Sequence, residues 1–428
     1  MRIATQGNSD AVKETPGNVG GASCRFCGTA LRHTFVDLGM SPLCQTHIEP
    51  HQLNHMEPFY PLHVWVCHEC FLVQLEEFVS PSEIFSDYAY FSSFSDSWVA
   101  HAKRYADAVT TRFGLDSSSK VVEIASNDGY LLQHFVARGI PALGIEPAAN
   151  VAKAAVQKGI PTVVKFFGKE TAIEILAEHG PADLLLGNNV LAHVPDINDL
   201  VGGMRALLRM GGIVTMEFPH LFRLMAENQF DTIYHEHFSY LSFYSVERVF
   251  AASGLTLFDV EELPTHGGSL RIYARHADDA GKPVSARVLE LRERELRNRV
   301  NCIETYSAFA EQVKETKRAI LEFLIGAKRA GKMVAGYGAP GKGNTLLNYC
   351  GIRQDFIDYT VDRNPYKQGK FTPGTRIPIY GPEKILETRP DYVFILPWNL
   401  KNEITEQMAY IRGWGGRFVV PIPRVSVL

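Results

Sequence analysis

Four cysteines fall into two C-x-x-C pairs, Cys24-Arg25-Phe26-Cys27 and Cys67-His68-Glu69-Cys70, with 39 residues between them. Paired thiols at this spacing, the first pair followed by Gly28, are the usual frame for a tetrahedral four-thiolate zinc. Four thiolates leave no open position, so the metal would be structural and would tie together a module too small for a large core. Two blander readings remain: unrelated buried small residues, or a redox pair, which is disfavoured because neither pair opens a helix after a strand. The second reactive stretch is Tyr234-His235-Glu236-His237, followed by Phe238-Ser239-Tyr240. A histidine holds and releases a proton near neutral pH, and a neighbouring glutamate can orient it and raise its basicity. This makes the segment the strongest catalytic candidate, against the alternative of a surface loop with incidental histidines. It is not a zincin motif, which needs H-E-x-x-H on a helix.

Such groups need a scaffold, and the stretch from Val121 to Asn150 supplies the clearest one. It reads as a strand ending in Glu123-Ile124, a small-residue turn through Asn127-Asp128-Gly129, a helix carrying Leu131, Leu132, Phe135 and Val136, and a second strand, Ala142 to Ile145, closed by Glu146-Pro147. This is half of a doubly wound nucleotide-binding unit, in which an acid ending the second strand accepts ribose hydroxyls. The turn lacks G-x-G-x-x-G spacing, and Asn127-Asp128 sets a carboxylate where a diphosphate would be repelled. An adenosine cofactor with a positive sulfonium fits better, so S-adenosylmethionine is expected before NAD. The alternative is a structural strand-turn-helix with no ligand.

The α/β pattern continues through a largely apolar strand, Ala182 to Gly187, that runs into Asn188-Asn189 and His193, and a later strand that ends at Glu217. Ligands of open sheets lie beyond the carboxyl ends of the strands, so both ends face the cofactor's reactive side. A strand from Thr256 to Glu261 leads to His266-Gly267-Gly268-Ser269, whose amides and hydroxyl are available to a ligand. An aromatic, serine-rich connector containing Tyr88 precedes this unit and either lines a pocket or packs between domains. After Ser285 come long charged helices with solvated faces around Leu289, Leu296, Phe309 and Val313, either a dimer arm or a bridge. A second nucleotide-binding-like unit begins near Gly331, where the strand ending in Tyr337 enters a helix through Gly341-Lys342-Gly343-Asn344. Lys342 and the helix amides favour phosphate. A phosphate-bearing substrate and a degenerate structural repeat are both open.

With 428 residues, two or three domains are expected; 46% hydrophobic content, 21% charged content and a formal net charge of -4 are those of an ordinary enzyme, with no sign of nucleic-acid binding. The chain has neither an apolar run of the roughly 18 residues of a membrane span nor a signal-peptide core, so no membrane association and a cytoplasmic location are expected. The division anticipated is a flexible tail over 1–21, a zinc module over 22–80, a methyltransferase domain with a helical bridge over 81–320, and a C-terminal Rossmann-like domain over 321–428. The fold class is therefore α/β.

The four-cysteine module, VVEIASNDG, GNNVLAHVPD, YHEHFSYLS, THGGSLR and GYGAPGKGNT occur together, in that order, between residues 24 and 424. In this the chain resembles the nucleotide-sugar C-methyltransferases of antibiotic deoxysugar biosynthesis, and is similar above all to members that act at C-3′ of a dTDP-linked 3-amino-4-keto sugar in the tetronitrose pathway. The resemblance implies S-adenosylmethionine-dependent methylation beside the ketone, with the residue matching His237 as base, Tyr234 and Glu236 nearby, His193 at the rim of the methyl-donor pocket, and Tyr88 in the segment that approaches the sugar. The residues expected on the cofactor side, from the reading of the strands and turns above, are Glu123, Asn127, Asp128, Gly129, Leu131, Glu146, Pro147, Asn188 and Asn189. The resemblance implies that the C-terminal unit helps hold the thymidine diphosphate, and the residues expected on the sugar-nucleotide side are Glu217, His266, Gly267, Ser269, Tyr337, Lys342 and Asn344. The chain is expected to be a monomer or weak homodimer. Methylation of oxygen or nitrogen, and a non-catalytic zinc-containing nucleotide-binding protein, are the competing readings.

Overall fold

The computed structural model describes residues 22–85 and 91–428. The expected tail, 1–21, and Tyr88 lie outside the described residues. Three sheets organise the rest. The largest has seven strands in the order Leu255–Leu263, Ser269–His276, Leu208–Pro219, Ala182–Asn188, Val121–Ile124, Ala142–Ile145, Thr162–Val163. Ser269–His276 runs antiparallel to both of its neighbours, and the strands from Leu208–Pro219 to Thr162–Val163 are parallel. Val121–Ile124 is wholly buried, as a central strand covered on both faces must be. Strand order reverses between Val121–Ile124 and Ala182–Asn188, and the crevice of a doubly wound sheet opens at such a point.

The expected helix at Leu131 is shorter than its apolar pattern suggests. Only Gln133–Val136 is helical, and Leu131 and Leu132 are core residues of the turn before it. The helix Asp96–Phe113 starts at Ser95, whose hydroxyl accepts from the Trp98 amide, and stops at Gly114 in a left-handed conformation. It buries Ala102, Ala106 and Val109 and carries Trp98 and His101 toward the sheet's carboxyl edge.

The cysteine module is a four-stranded antiparallel sheet, His33–Ser41, Tyr60–Val66, Val73–Leu75 and Ser239–Tyr240. Its last strand belongs to the segment just after His237. The C-terminal sheet runs Ile379–Tyr380, Tyr359–Val361, Val334–Tyr337, Tyr392–Ile395, Arg417–Val420, Ser426–Val427, with only the last pairing antiparallel. It too has a switch point, between Val334–Tyr337 and Tyr392–Ile395.

The helix Ile303–Arg329, about 40 Å long at 1.5 Å per residue, joins the cysteine module to this C-terminal sheet. Tyr306, Phe309, Val313, Ile320 and Leu324 are buried along it, and Phe35 stacks on Phe309 at 4.7 Å. Exposed faces do surround Phe309 and Val313, as expected, while their own side chains form the bridge's buried apolar stripe. Leu289 and Leu296 are exposed, while Val288, Leu291 and Glu295 make the buried face of Ala286–Arg297. No helix among the described residues is long and apolar enough to cross a membrane.

Candidate active site

The ligating atoms of Cys24, Cys27, Cys67 and Cys70 all lie within 4.8 Å of one another, with Cys24–Cys70 and Cys27–Cys67 at 3.5 Å. A tetrahedron with metal–sulfur bonds near 2.3 Å has sulfurs about 3.8 Å apart, so the cluster fits a four-thiolate metal. Each pair is a knuckle: the Gly28 amide donates to the Cys24 carbonyl, and the Phe71 amide to that of Cys67. Gly28 and Phe71 both adopt positive φ. The Gln74 side-chain amide donates to the Cys24 sulfur at 3.2 Å.

A cleft of about 690 Å³ opens at the carboxyl edge of the seven-stranded sheet. Of the residues placed on the cofactor side, Asn127, Glu146, Pro147, Asn188 and Asn189 line it. The two Glu146 oxygens accept from the Asn127 and Ala148 amides at 2.9 Å. A carboxylate has about four acceptor sites, so capacity remains for ribose hydroxyls. Phe166 and Phe167, which sequence reasoning missed, add apolar walls suited to an adenine face. Together these residues fit S-adenosylmethionine.

The other cofactor-side expectations need correction. Asp128 does not line the cleft; its carboxylate pairs with Lys158 at 3.0 Å, so the turn does not face a ligand with the bare charge expected of it. Leu131 is core. Gly129 sits behind the turn at φ +77°, where a Cβ would fall 2.2 Å from Ile160 Cδ1. Glu123 is buried beneath the cleft with both oxygens unpartnered, and burial beside Glu146 and Asp128 pushes its pKa well above the carboxylate range.

Four non-glycine residues on the cleft wall, Ala125, Asn127, Asn189 and His266, have φ between 50° and 55°. Each costs about 1–3 kcal/mol and persists only where its surroundings hold it. Asn189 and His266 hold each other, Nδ2 to Nε2 at 3.2 Å, and the Asn189 amide donates to the Glu217 carbonyl at 2.7 Å.

The proton-handling groups converge at the far end of the cleft, where Tyr234, Glu236, His237 and His193 all line it. The His237 ring centroid is 4.1 Å from that of Tyr234 and 4.6 Å from that of His193. His237 Nδ1 lies 2.8 Å from the Thr232 carbonyl oxygen. A carbonyl only accepts, so Nδ1 carries the proton and Nε2 keeps its lone pair. Burial, with His193 beside it, pushes the His237 pKa well below the usual range, so the ring is neutral. His193 is likewise pushed down to about 4 by burial.

Glu236 does not orient His237 as its adjacency suggested. Its Oε1 accepts from the Cys44 thiol at 3.6 Å, and burial pushes its pKa up to about 7. The Thr232 carbonyl does the orienting, through a backbone contact that no side-chain motif announces. His235 turns away from the cleft and donates from Nε2 to the Pro61 carbonyl at 3.1 Å.

Of the sugar-nucleotide candidates, His266 and Lys342 line the cleft, and Lys342 arrives from the second switch point. Lys342 Nζ donates to Asn399 at 2.9 Å and lies 4.9 Å from the Trp398 ring centroid; burial lowers its pKa. Glu217, Gly267, Ser269, Tyr337 and Asn344 do not line the cleft. Glu217 is buried in a network with His101 (2.9 Å), Arg271 (2.6 Å) and Thr265 (2.9 Å) that props up the turn carrying His266. Ser269 donates to the Thr265 carbonyl, and the Gly267 carbonyl accepts from Gln229. Tyr337 is buried at its strand end, and Asn344 donates to the Cys44 carbonyl at 2.7 Å. Sequence reasoning missed Gln45 and Trp98, both on the cleft wall.

The chain matches three family models in succession. Residues 24–85 match a zinc binding domain family, 98–260 a methyltransferase domain family, and 264–423 the C-methyltransferase C-terminal domain family. The chain is 37% identical over 405 residues to the C-methyltransferase NovU of Streptomyces niveus, covering 95% of this chain and 96% of that protein. The chain belongs to the NovU-type C-methyltransferase family. In this chain a cysteine module precedes an S-adenosylmethionine-binding methyltransferase fold, and a Rossmann-like extension comes after it. Solved structures similar to part of the chain include the CcbJ methyltransferase from Streptomyces caelestis (13% identity, TM-score 0.34, 41% of this chain and 89% of that one). Another is the glycopeptide N-methyltransferase MtfA (14% identity, TM-score 0.33, 41% and 96%).

Proposed function

We propose that this C-methyltransferase acts at C-3′ of a dTDP-linked 4-keto-deoxysugar, with a 3-amino-2,3,6-trideoxy sugar as the substrate of choice. The observation that carries this reading is the neutral His237, with Nδ1–H fixed on Thr232 and Nε2 left as an acceptor, in a cleft that also contains Glu146 and Lys342. A carbon atom accepts a methyl group only as a carbanion or enolate, so a base beside an acidic C–H is required. The 4-keto group acidifies the C-3′ proton, and His237 Nε2 takes it. S-adenosylmethionine supplies a methyl group on a positive sulfonium, which departs as the neutral thioether while the new C–C bond forms. Tyr234 or His193 donates a hydrogen bond to the ketone oxygen as charge develops. A diphosphate near Lys342 offsets a cation that helps depress the His237 pKa, so substrate binding itself strengthens the base.

On this reading Cys24, Cys27, Cys67 and Cys70 hold one structural zinc per chain. The anticipated domain division is kept as part of this proposal, with its boundary at 320 moved to the end of the continuous helix Ile303–Arg329, and the protein is proposed to work in the cytoplasm as a monomer or weak homodimer.

The test is incubation with 13C-methyl S-adenosylmethionine and a panel of dTDP-4-keto sugars, locating the label by NMR. A new carbon-bound methyl at C-3′ is expected; a label on oxygen or nitrogen would overturn the reading. His237→Asn should lose about 10²- to 10⁴-fold in turnover while calorimetry with S-adenosylhomocysteine stays unchanged. Near-normal turnover of that variant would require another base.

A further inference from the structure

We infer that Arg25, inside the first cysteine knuckle, is a positioning residue for the base, coupling the metal cluster to the two histidines of the cleft. This rests on the reading of His237 as base. The side chain reaches out of the module: Nη1 donates to the Pro195 carbonyl at 3.0 Å, two residues beyond His193, and Nη2 donates to the Leu75 carbonyl. The guanidinium also lies over the Phe238 ring, 5.6 Å from its centroid and next in sequence to His237. From the same segment, Asn198 donates back to the carbonyls of Arg25 and Phe26 at 3.2 and 2.9 Å. One residue thus touches the segments just after both histidines.

The metal end of this chain of contacts is equally direct. The Arg25 amide donates to Gln74 Oε1 at 2.9 Å, while Gln74 Nε2 donates to the Cys24 sulfur. Gln74 sits on Val73–Leu75, the strand to which Ser239–Tyr240 pairs, and the Leu75 amide donates to the Phe238 carbonyl at 3.0 Å. The Phe238 amide in turn donates to the Ala192 carbonyl at 2.8 Å, joining the two histidine segments. His237 and His193 are therefore held against each other by a frame whose fixed point is the knuckle. The guanidinium holds its donors in a rigid planar fork that reaches two carbonyls of different segments, whereas a lysine gathers its three donors at one flexible point.

The experiment uses the full-length chain as Arg25→Ala and Arg25→Lys, with three readouts: zinc per chain, the 15N signal of His237 in histidine-labelled protein (assigned by its absence in His237→Asn), and the split between kcat and KM. Expected is zinc retained at one per chain, KM for S-adenosylmethionine within about twofold, and kcat reduced about 100-fold, the scale of a 1 Å misplacement. The His237 signal should move from a single Nδ1–H tautomer to a mixture, less so in Arg25→Lys. Should Arg25→Ala shed its zinc, Arg25→Lys and Asn198→Ala, which loosens the backbone bonds between the knuckle and the segment after His193, are read by the same criteria. A zinc-loaded variant with an unchanged His237 signal and wild-type kcat overturns the inference. If the wild-type chain methylates no dTDP-4-keto sugar, the substrate reading fails, and the NMR arm still decides the role of Arg25.

Discussion

Glu236 enters the cleft as a carboxyl that accepts from the Cys44 thiol, and its pKa is pushed up to about 7 by burial. A carboxyl whose folded pKa lies above its unfolded value of about 4.5 binds more protons in the native state between those limits. Its contribution to stability is present below about pH 4.5 and is lost as pH rises through 7. Glu236→Gln removes that dependence. Urea unfolding should therefore show wild type losing stability relative to the variant between about pH 5 and 8, by an amount approaching ~3 kcal/mol. A difference independent of pH would mean that Glu236 is ionised in the folded protein. The same residue shows where sequence adjacency misleads. Glu236 precedes His237, yet their side chains take different partners, because successive residues of a short irregular loop point apart and Nδ1–H donates to a backbone oxygen five residues back.

Among the elements, the turn between Val121–Ile124 and Gln133–Val136 bears the closest tolerances. Gly129 combines φ +77° with a missing Cβ that would meet Ile160 at 2.2 Å. Gly129→Ala should cost about 1–2 kcal/mol from the left-handed conformation alone. It should also displace Asn127, weakening S-adenosylhomocysteine binding by calorimetry along with a fall in Tm; unchanged affinity at reduced Tm would confine Gly129 to a folding role. The strands of this unit were legible in the sequence because buried parallel strands are short runs of Val, Ile and Leu closed by turn residues; Ala142–Ile145 begins and ends where the pattern says. Side-chain direction was not legible. Asp128 turns to Lys158, 30 residues on, and Glu217 turns to His101 and Arg271, 116 and 54 residues away. Those choices depend on tertiary partners that no local period encodes.

At the scale of the molecule, the cleft is walled by all three units: Gln45 from the cysteine module, Asn127 to His266 from the central sheet, and Pro340 to Lys342 from the C-terminal sheet. Two switch points therefore open on one space. Lys342→Ala should weaken binding of a dTDP-sugar by about tenfold or more, the scale of one charge-assisted hydrogen bond, and leave S-adenosylhomocysteine affinity unchanged. Equal loss for both ligands would place the lysine on the methyl-donor side. The expected α/β class, the cysteine module and the second nucleotide-binding-like unit were all visible as separate motifs. The element that brings them together was legible only as charged helices left open between a dimer arm and a bridge; the buried stripe of Tyr306, Phe309 and Val313 on Ile303–Arg329, seen against Phe35, decides for the bridge.

The four-stranded sheet of the cysteine module borrows Ser239–Tyr240 from a segment more than 160 residues beyond Leu75. Such a loan makes the N-terminal portion inseparable from the central unit. A fragment cut after it would present Val73–Leu75 as a bare edge with unsatisfied amides, prone to recruit strands from other molecules. The remainder, in turn, would lose the support beneath its proton acceptor. Shuffling of such modules between relatives is therefore constrained to exchange both pieces as a matched set.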